Sequence, residues 1–183
     1  MIRSNTTVSE PSETVNQNSV SLGYGDPAFY LEDIPESLAY AAHSGTSWVP
    51  ERRTVTTRQE YAELLAGLFR KLEATHAKTE EKRAQLRAEW ARFREGFQRR
   101  YRAYLASRSR VVSWAIAGPS NFPVARMAKR SAVAPRRLHE VLTFQKAATE
   151  AIIRDLHPEW RPIMAGDADA VERLERKIEG LEQ

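Results

Sequence analysis

No cysteine occurs in this chain. A disulfide framework, a thiolate nucleophile and a Cys-ligated zinc site are therefore excluded. No apolar run approaches the ~20 residues that span a bilayer, and M-I-R-S-N-T-T-V-S-E lacks the apolar core of a signal peptide. No membrane partner is expected. Glycine is sparse at 8 residues; Gly118 stands alone in its loop, and without G-x-x-x-x-G-K-[ST] there is no phosphate cradle. G-x-S-x-G is missing too, so Ser113 in S-W-A-I-A-G is no nucleophile elbow. The 4 histidines, His43, His76, His139 and His157, are scattered, with no H-E-x-x-H and no pair at metal-ligand spacing. His139-Glu140 reads as a helix-surface pair. Asp167 and Asp169 fit helix capping better than a hard cation. No catalytic residue, metal, cofactor or small-molecule substrate is expected, and the chain reads as a non-enzyme. No internal repeat is visible, and no strand pattern exceeds the pairs Trp48-Val49 and Val111-Val112.

What the chain does have is charge of one sign, concentrated. Residues 1–50 carry net −5, 51–81 net 0, 82–137 net +13 and 138–183 net −4. The third segment holds fifteen basic and two acidic residues, and thirteen of the fifteen are Arg. Such a block sets up a field that attracts polyanions, and the Arg fork suits phosphate and carboxylate better than Lys does. The bland alternative is a solvated face opposite an apolar stripe. With two acids among seventeen charges, few internal ion pairs are expected, which favours binding of a nucleic acid, an RNA-containing complex or an acidic protein. No zinc finger, RNP aromatic pattern or basic zipper is present to read bases.

The hydrophobic periodicity predicts an all-α fold: a long helical hairpin with further antiparallel helices, forming one domain over 27–183 behind a flexible tail over 1–26. A short helix is expected over 35–43, with Pro35 in its first turn. Trp48, Val49 and Pro50 then run extended. Thr57-Arg58-Gln59-Glu60 reads as a capping box opening a helix to about Ala77. Its stripe is Tyr61, Leu64, Leu65, Leu68, Phe69 and Leu72, spaced 3, 1, 3, 1, 3.

Thr79-Glu80-Glu81 starts the next helix, or marks a kink in a longer one. Leu86, Trp90, Phe93, Phe97, Tyr101, Tyr104 and Leu105 form a nearly all-aromatic stripe along it. At about 1.5 Å per residue this helix is ~40 Å long and needs a partner, expected to be the 58–77 helix. Residues 109–117 are expected to continue as a short helix, and 124–131 to form another helical turn. Pro135 restarts a helix to about Leu156, with Leu138, Val141, Leu142, Phe144, Ala148, Ile152 and Leu156 inward. After a corner at residues 157–162, Asp167 or Asp169 caps a last helix. Its apolar positions Val171, Leu174, Ile178 and Leu181 form a short coiled-coil-like seam.

Residues 108–137 form the one long interruption between these helical regions, broken by Gly118-Pro119 and Phe122-Pro123. The candidate partner-binding residues lie on and before it: Arg87, Arg94, Arg99, Arg100, Arg102, Arg108, Arg110, Arg126, Lys129 and Arg130. Trp114 and Phe122, near Met127, serve either as aromatic anchors or as core packing. Residues 118–124 fit two roles, a contact surface or a shaping corner; the second is preferred.

H-S-G-T-S-W-V-P-E-R-R (43–53), Y-L-A-S-R-S-R-V-V-S-W-A-I-A-G-P-S-N-F-P-V-A-R-M-A-K-R (104–130), R-L-H-E-V-L-T-F (137–144) and L-H-P-E-W-R-P-I-M-A-G-D-A-D-A-V-E-R-L-E-R-K-I (156–178) occur together. This set resembles a helical module of large polyvalent and domain-of-unknown-function proteins of plasmids, integrative elements and phages. The resemblance covers about 40–183, and the middle motif is its most specific part. Related copies carry Arg-Asn or similar after the Pro-Val, whereas this chain has Ala125-Arg126-Met127-Ala128. The resemblance implies a mobile-element setting rich in counter-defence functions. A stand-alone copy of the module is similar, as a class, to anti-CRISPR proteins, which bind a Cas protein or Cas ribonucleoprotein without chemistry, here in the bacterial cytoplasm. The other reading is a non-enzymatic accessory protein that binds DNA or RNA directly.

Overall fold

The computed structural model describes residues 23–118, 120–160, 162–163 and 169–179. Most of the expected tail, Pro119 of the corner, Asp167 and Leu181 lie outside the described residues. Among those described there is no β-strand. A 3-10 segment, Pro27–Asp33, leads into α1 (Glu36–Ser44), α2 (Pro50–His76) and α3 (Glu80–Arg108). Then come α4 (Trp114–Ala117), α5 (Val124–Ser131), α6 (Val133–Leu156), a 3-10 turn Pro158–Trp160, and α7 (Ala170–Glu179).

The expected all-α architecture is what the chain adopts, with the boundaries moved in two places. Residues 23–26 belong to the fold rather than to a tail: the Tyr24 carbonyl accepts from the Tyr30 hydroxyl at 2.7 Å, and the Tyr24 ring sits 5.4 Å from that of Phe69. Helix α2 begins at Pro50 rather than beside a cap at Thr57. Proline suits the first helical turn, where its missing N–H has no partner to lose. Thr57 is thus interior to α2, buried, with its hydroxyl 2.8 Å from His43 Nε2. The Thr79 cap is where the sequence puts it, accepting from the Lys82 amide at 3.3 Å, so α2 and α3 are separate helices.

The aromatic stripe of α3 forms the core. Trp90, Phe93, Phe97 and Tyr101 stack in succession, with centroids 4.6, 5.7 and 6.1 Å apart. From α2, Phe69 meets Trp90 edge-on at 5.4 Å and Tyr61 lies 4.9 Å from Tyr101. These rings keep the α2 and α3 backbones apart, and the closest backbone partner of α3 is α6 instead. Gly96 explains that approach: a Cβ there would lie 2.5 Å from Cζ of Phe144. The Phe144 ring stacks on Phe93 at 5.9 Å, with the Arg100 guanidinium 3.9 Å from its centroid. In an open helix Gly→Ala gains up to about 1 kcal/mol of propensity; here overpacking costs typically 1–3 kcal/mol. Gly96→Ala is therefore expected to lower the thermal midpoint, and a raised midpoint would mean that Phe144 yields freely.

This docking sets the rotation of α6. Val141, Ile152 and Leu156 are buried and Phe144 and Ala148 partly so, as expected. Leu138 and Leu142, read as inward, are exposed. Seated on Gly96 through Phe144, the helix turns its 141, 144, 148, 152 line inward and carries 138 and 142 off that line. The α7 seam is also open to solvent, with Val171, Leu174 and Ile178 all exposed.

Candidate functional site

The basic block divides into cations held inside the fold and cations left on its surface. The inner group centres on Asp33, which is 3% exposed. Arg94 donates from Nε to Oδ2 of Asp33 at 2.9 Å and from Nη2 to Oδ1. Its guanidinium also lies 4.4 Å from the Phe29 ring centroid. Tyr61 donates to the same carboxylate at 3.1 Å, and its own ionisation is pushed up, by burial first and by Asp33 second. The Asp33 hydrogen bonds raise the Arg94 pKa further, against the effect of burial. The Asp33 carbonyl accepts from Arg102 Nε at 2.8 Å and Gln98 Nε2 at 3.1 Å. From α2, Arg58 closes the carbonyls of Leu31 and Ile34 at 2.9 and 3.0 Å.

Arg94 and Arg102 are therefore fastenings of the N-terminal segment and leave the candidate interface. The expectation of few internal ion pairs fails for Lys82, Arg83, Arg87, Arg92, Arg94 and Arg137, because all but one of the acids that pair with them come from outside the block.

The other candidates separate by position. Arg87 pairs with Glu80 at 3.1 Å near the α2–α3 turn. Arg100 caps Phe144 and donates to the Gly96 carbonyl at 2.9 Å. Arg99 points outward from α3 and has no carboxylate partner among the described residues. Arg108 turns to the Tyr104 hydroxyl at 3.2 Å and to His43 Nδ1 at 3.5 Å. The remaining set gathers at the corner after α3. Arg130 donates to the Arg110 carbonyl at 3.1 Å, which ties α5 to the end of α3. Arg110, Arg126 and Lys129 are exposed there, followed by Arg136 at the start of α6. None of these four has a carboxylate partner among the described residues.

The corner is shaped by Gly118 and Asn121, both in the left-handed region at φ 82° and 55°. Ser113 caps α4 by accepting from the Ala115 amide at 3.2 Å. Neither α4 nor α5 buries a residue. Trp114 is 60% exposed and Val124 69%, while Phe122 and Met127 are half-buried. Of the two aromatic candidates, Trp114 stands out at the surface and Phe122 sits against the fold.

The chain matches no known protein family, no curated protein and no solved structure. Function has to be read from the corner's own geometry.

Sequence reasoning missed two contacts because both join distant segments. His76 Nδ1 and His157 Nε2 lie 3.3 Å apart, so these two histidines are not scattered. Trp160 stacks on His157 at 3.9 Å and 6°. Glu159 lies 2.8 Å from His157 Nδ1 and 3.4 Å from Lys82 Nζ; the His157 bond, first among the causes, holds its carboxyl down to about 2. This cluster clamps the end of α6 onto the α2–α3 turn. Burial and the charge of neighbouring His157 lower the His76 pKa. A lowered folded-state value makes that contribution fully present above the unfolded histidine range, and it is lost as pH falls towards the folded value. Among the described residues no group of three or more His, Asp or Glu is arranged to hold a metal ion.

The second contact joins residues 45–47 to 111–113. The Ser113 amide donates to the Gly45 carbonyl at 2.7 Å, and a Cβ on Gly45 would lie 2.4 Å from the Val111 carbonyl oxygen.

Proposed function

We propose that this protein acts without catalysis, by stoichiometric binding of its basic corner to an acidic protein surface of a Cas subunit or Cas ribonucleoprotein. One observation carries the reading. From residue 96 to residue 139 the chain has ten basic side chains and no acidic one, and the exposed Arg110, Arg126, Lys129 and Arg136 have no carboxylate partner among the described residues. Fields of this kind steer association with polyanions. The resemblance to modules of mobile elements supplies the counter-defence setting. Among the described residues no helix is long and apolar enough to cross a membrane.

Direct binding to DNA or RNA is the second reading, favoured by the exposed Trp114 indole on α4, between the α3 end and α5. Aromatic faces beside cations stack on unpaired bases.

Affinity capture from a host with active CRISPR–Cas, with and without nuclease treatment, tests both. Recovery of a Cas subunit that survives nuclease supports the first reading. Recovery of nucleic acid alone supports the second, and recovery of neither sinks both. In the nucleic-acid case affinity should fall steeply with salt, with a log–log slope of about 0.7–0.9 per phosphate neutralised. The variant Arg110→Gln/Arg126→Gln/Lys129→Gln/Arg136→Gln is expected to flatten that slope by up to about 3.6 and to abolish capture at roughly 150 mM salt.

A further inference from the structure

One cleft beside the corner collects cations over a polar floor. It lies between α1, α2 and the C-terminal end of α3 and has a volume of about 340 Å³. Arg53 comes into it from α2 and Arg108 from α3, with the hydroxyls of Thr46, Ser47 and Thr56 around them. Its floor is the His43–Thr57 pair. Arg108 donates towards His43 Nδ1 at 3.5 Å, which leaves Nε2 to donate to Thr57 at 2.8 Å. Burial, followed by the fields of Arg108 and Arg53, lowers the His43 pKa.

Arg108 is half-buried, and neither it nor Arg53 has a carboxylate partner among the described residues. Glu60 is the one acid in the lining; it is exposed, so water screens it. Two guanidiniums lining one cleft, with no carboxylate partner among the described residues, are the chemistry that holds a phosphate ester; Ser47 and Thr56 spend their hydroxyls on the Val49 amide and the Arg52 carbonyl.

The cleft does not end at Arg108. On the other side of that side chain, and sharing Thr46 with the first compartment, lies a second compartment of about 300 Å³. Its walls are Tyr104, Val111, Ala134, Pro135 and Leu138, with the Ser131 hydroxyl at its edge. This gives the exposed Leu138 a place in the fold. Small-molecule sites have this make-up, apolar walls with a few placed polar groups. An aromatic wall, flat apolar sides and hydroxyls at the rim suit a heteroaromatic ring with polar edges better than an acyl chain. The two compartments exist because Gly45 allows residues 45–47 to press on 111–113.

We propose that this double cleft binds a nucleotide, with its phosphate between Arg53 and Arg108 and its base in the slot lined by Leu138 and Tyr104. The site adjoins the basic corner, sharing Arg108, Val111, Ser131, Ala134 and Pro135 with that stretch, but Arg110, Arg126, Lys129 and Arg136 do not line it.

Isothermal titration of the full-length protein with AMP, GMP, CMP and UMP tests it, alongside inorganic phosphate and adenosine. At least one nucleotide is expected to bind more tightly than either fragment. Arg53→Gln and Arg108→Gln should each weaken it ten-fold or more, with Arg108→Lys in between. Leu138→Trp, which fills the slot, should weaken the nucleotide by a similar factor and leave phosphate binding unchanged. Thermal melts of the same variants show that each is folded; Arg53, on the surface, serves as the variant of record should Arg108→Gln fail to fold. The corner variant Arg126→Gln/Lys129→Gln, which touches neither the lining nor its chain neighbours, should bind the nucleotide as the parent does, which separates this site from the proposed function. No binding of any nucleotide at millimolar concentration overturns the proposal. So does nucleotide affinity insensitive to Arg53→Gln, or phosphate binding that gains nothing from an attached nucleoside.

Discussion

Asp33→Ala is expected to destabilise the protein by about 3–5 kcal/mol, the range for removing one partner of a buried ion pair. The carboxylate receives two donors from Arg94 and one from Tyr61. Deleting it strands a guanidinium that is 29% exposed and leaves the buried Tyr61 hydroxyl without its acceptor. Against a total of about 5–15 kcal/mol for a typical domain, that loss is a fifth or more, or about 6–20 °C in the midpoint for a chain of this size. Urea unfolding followed by far-UV circular dichroism measures it. Asp33→Asn/Arg94→Met removes both charges and should recover part of the loss, since an apolar replacement for a buried pair is often neutral. A loss below about 1 kcal/mol for Asp33→Ala would mean that Arg94 reaches water once released, at the low end seen for exposed pairs.

Trp90→Ala should cost a similar amount, about 3–5 kcal/mol. Trp90 is 0% exposed. Its ring is stacked on Phe93 and met edge-on by Phe69, and its Nε1 donates to the Tyr30 hydroxyl at 2.8 Å. That hydroxyl in turn holds the Tyr24 carbonyl, so one side chain ties α3 to the N-terminal segment. Trp90→Phe keeps most of the apolar volume and loses the hydrogen bond, a net of about 0.5–1.5 kcal/mol. Fluorescence gives an independent check. Trp48, Trp114 and Trp160 are 77%, 60% and 60% exposed, so the blue-shifted part of the native emission belongs to Trp90 alone. Trp90→Phe should leave a red native spectrum that barely shifts on unfolding. A persistent blue component would place one of the other three indoles in the core.

Both predictions fall on residues of unequal legibility. Trp90 was readable: it sits in a stripe at helical spacing, and side chains three and four apart share a face whatever the rest of the chain does. The same local rule placed α3, its Thr79 cap, α5 and the body of α6. Asp33 was not readable. Its partner Arg94 is 61 residues away, and nothing in the spacing of either segment pairs them. The start of α2 was misplaced for a related reason, since Thr57-x-x-Glu60 is a valid cap locally while Pro50 opens the same helix earlier. Leu138 and Leu142 fit the apolar pattern of α6, but Gly96 against Phe144 decided which side of that pattern meets the core.

The sequence by itself determined that the chain is helical, where most helices lie, that α3 carries an aromatic core, and that positive charge gathers between residues 82 and 137. Each of these depends on residues within a turn or two of one another, or on composition. Only the tertiary structure decided which cations remain outside. It turned Arg94 and Arg102 inward onto Asp33, left Arg110, Arg126, Lys129 and Arg136 without an acid among the described residues, joined His76 to His157, and set Arg53 and Arg108 in one cleft over His43. A charge is neutralised by whatever the fold brings within a few ångströms of it, and that depends on how helices cross, which periodicity along one helix does not contain.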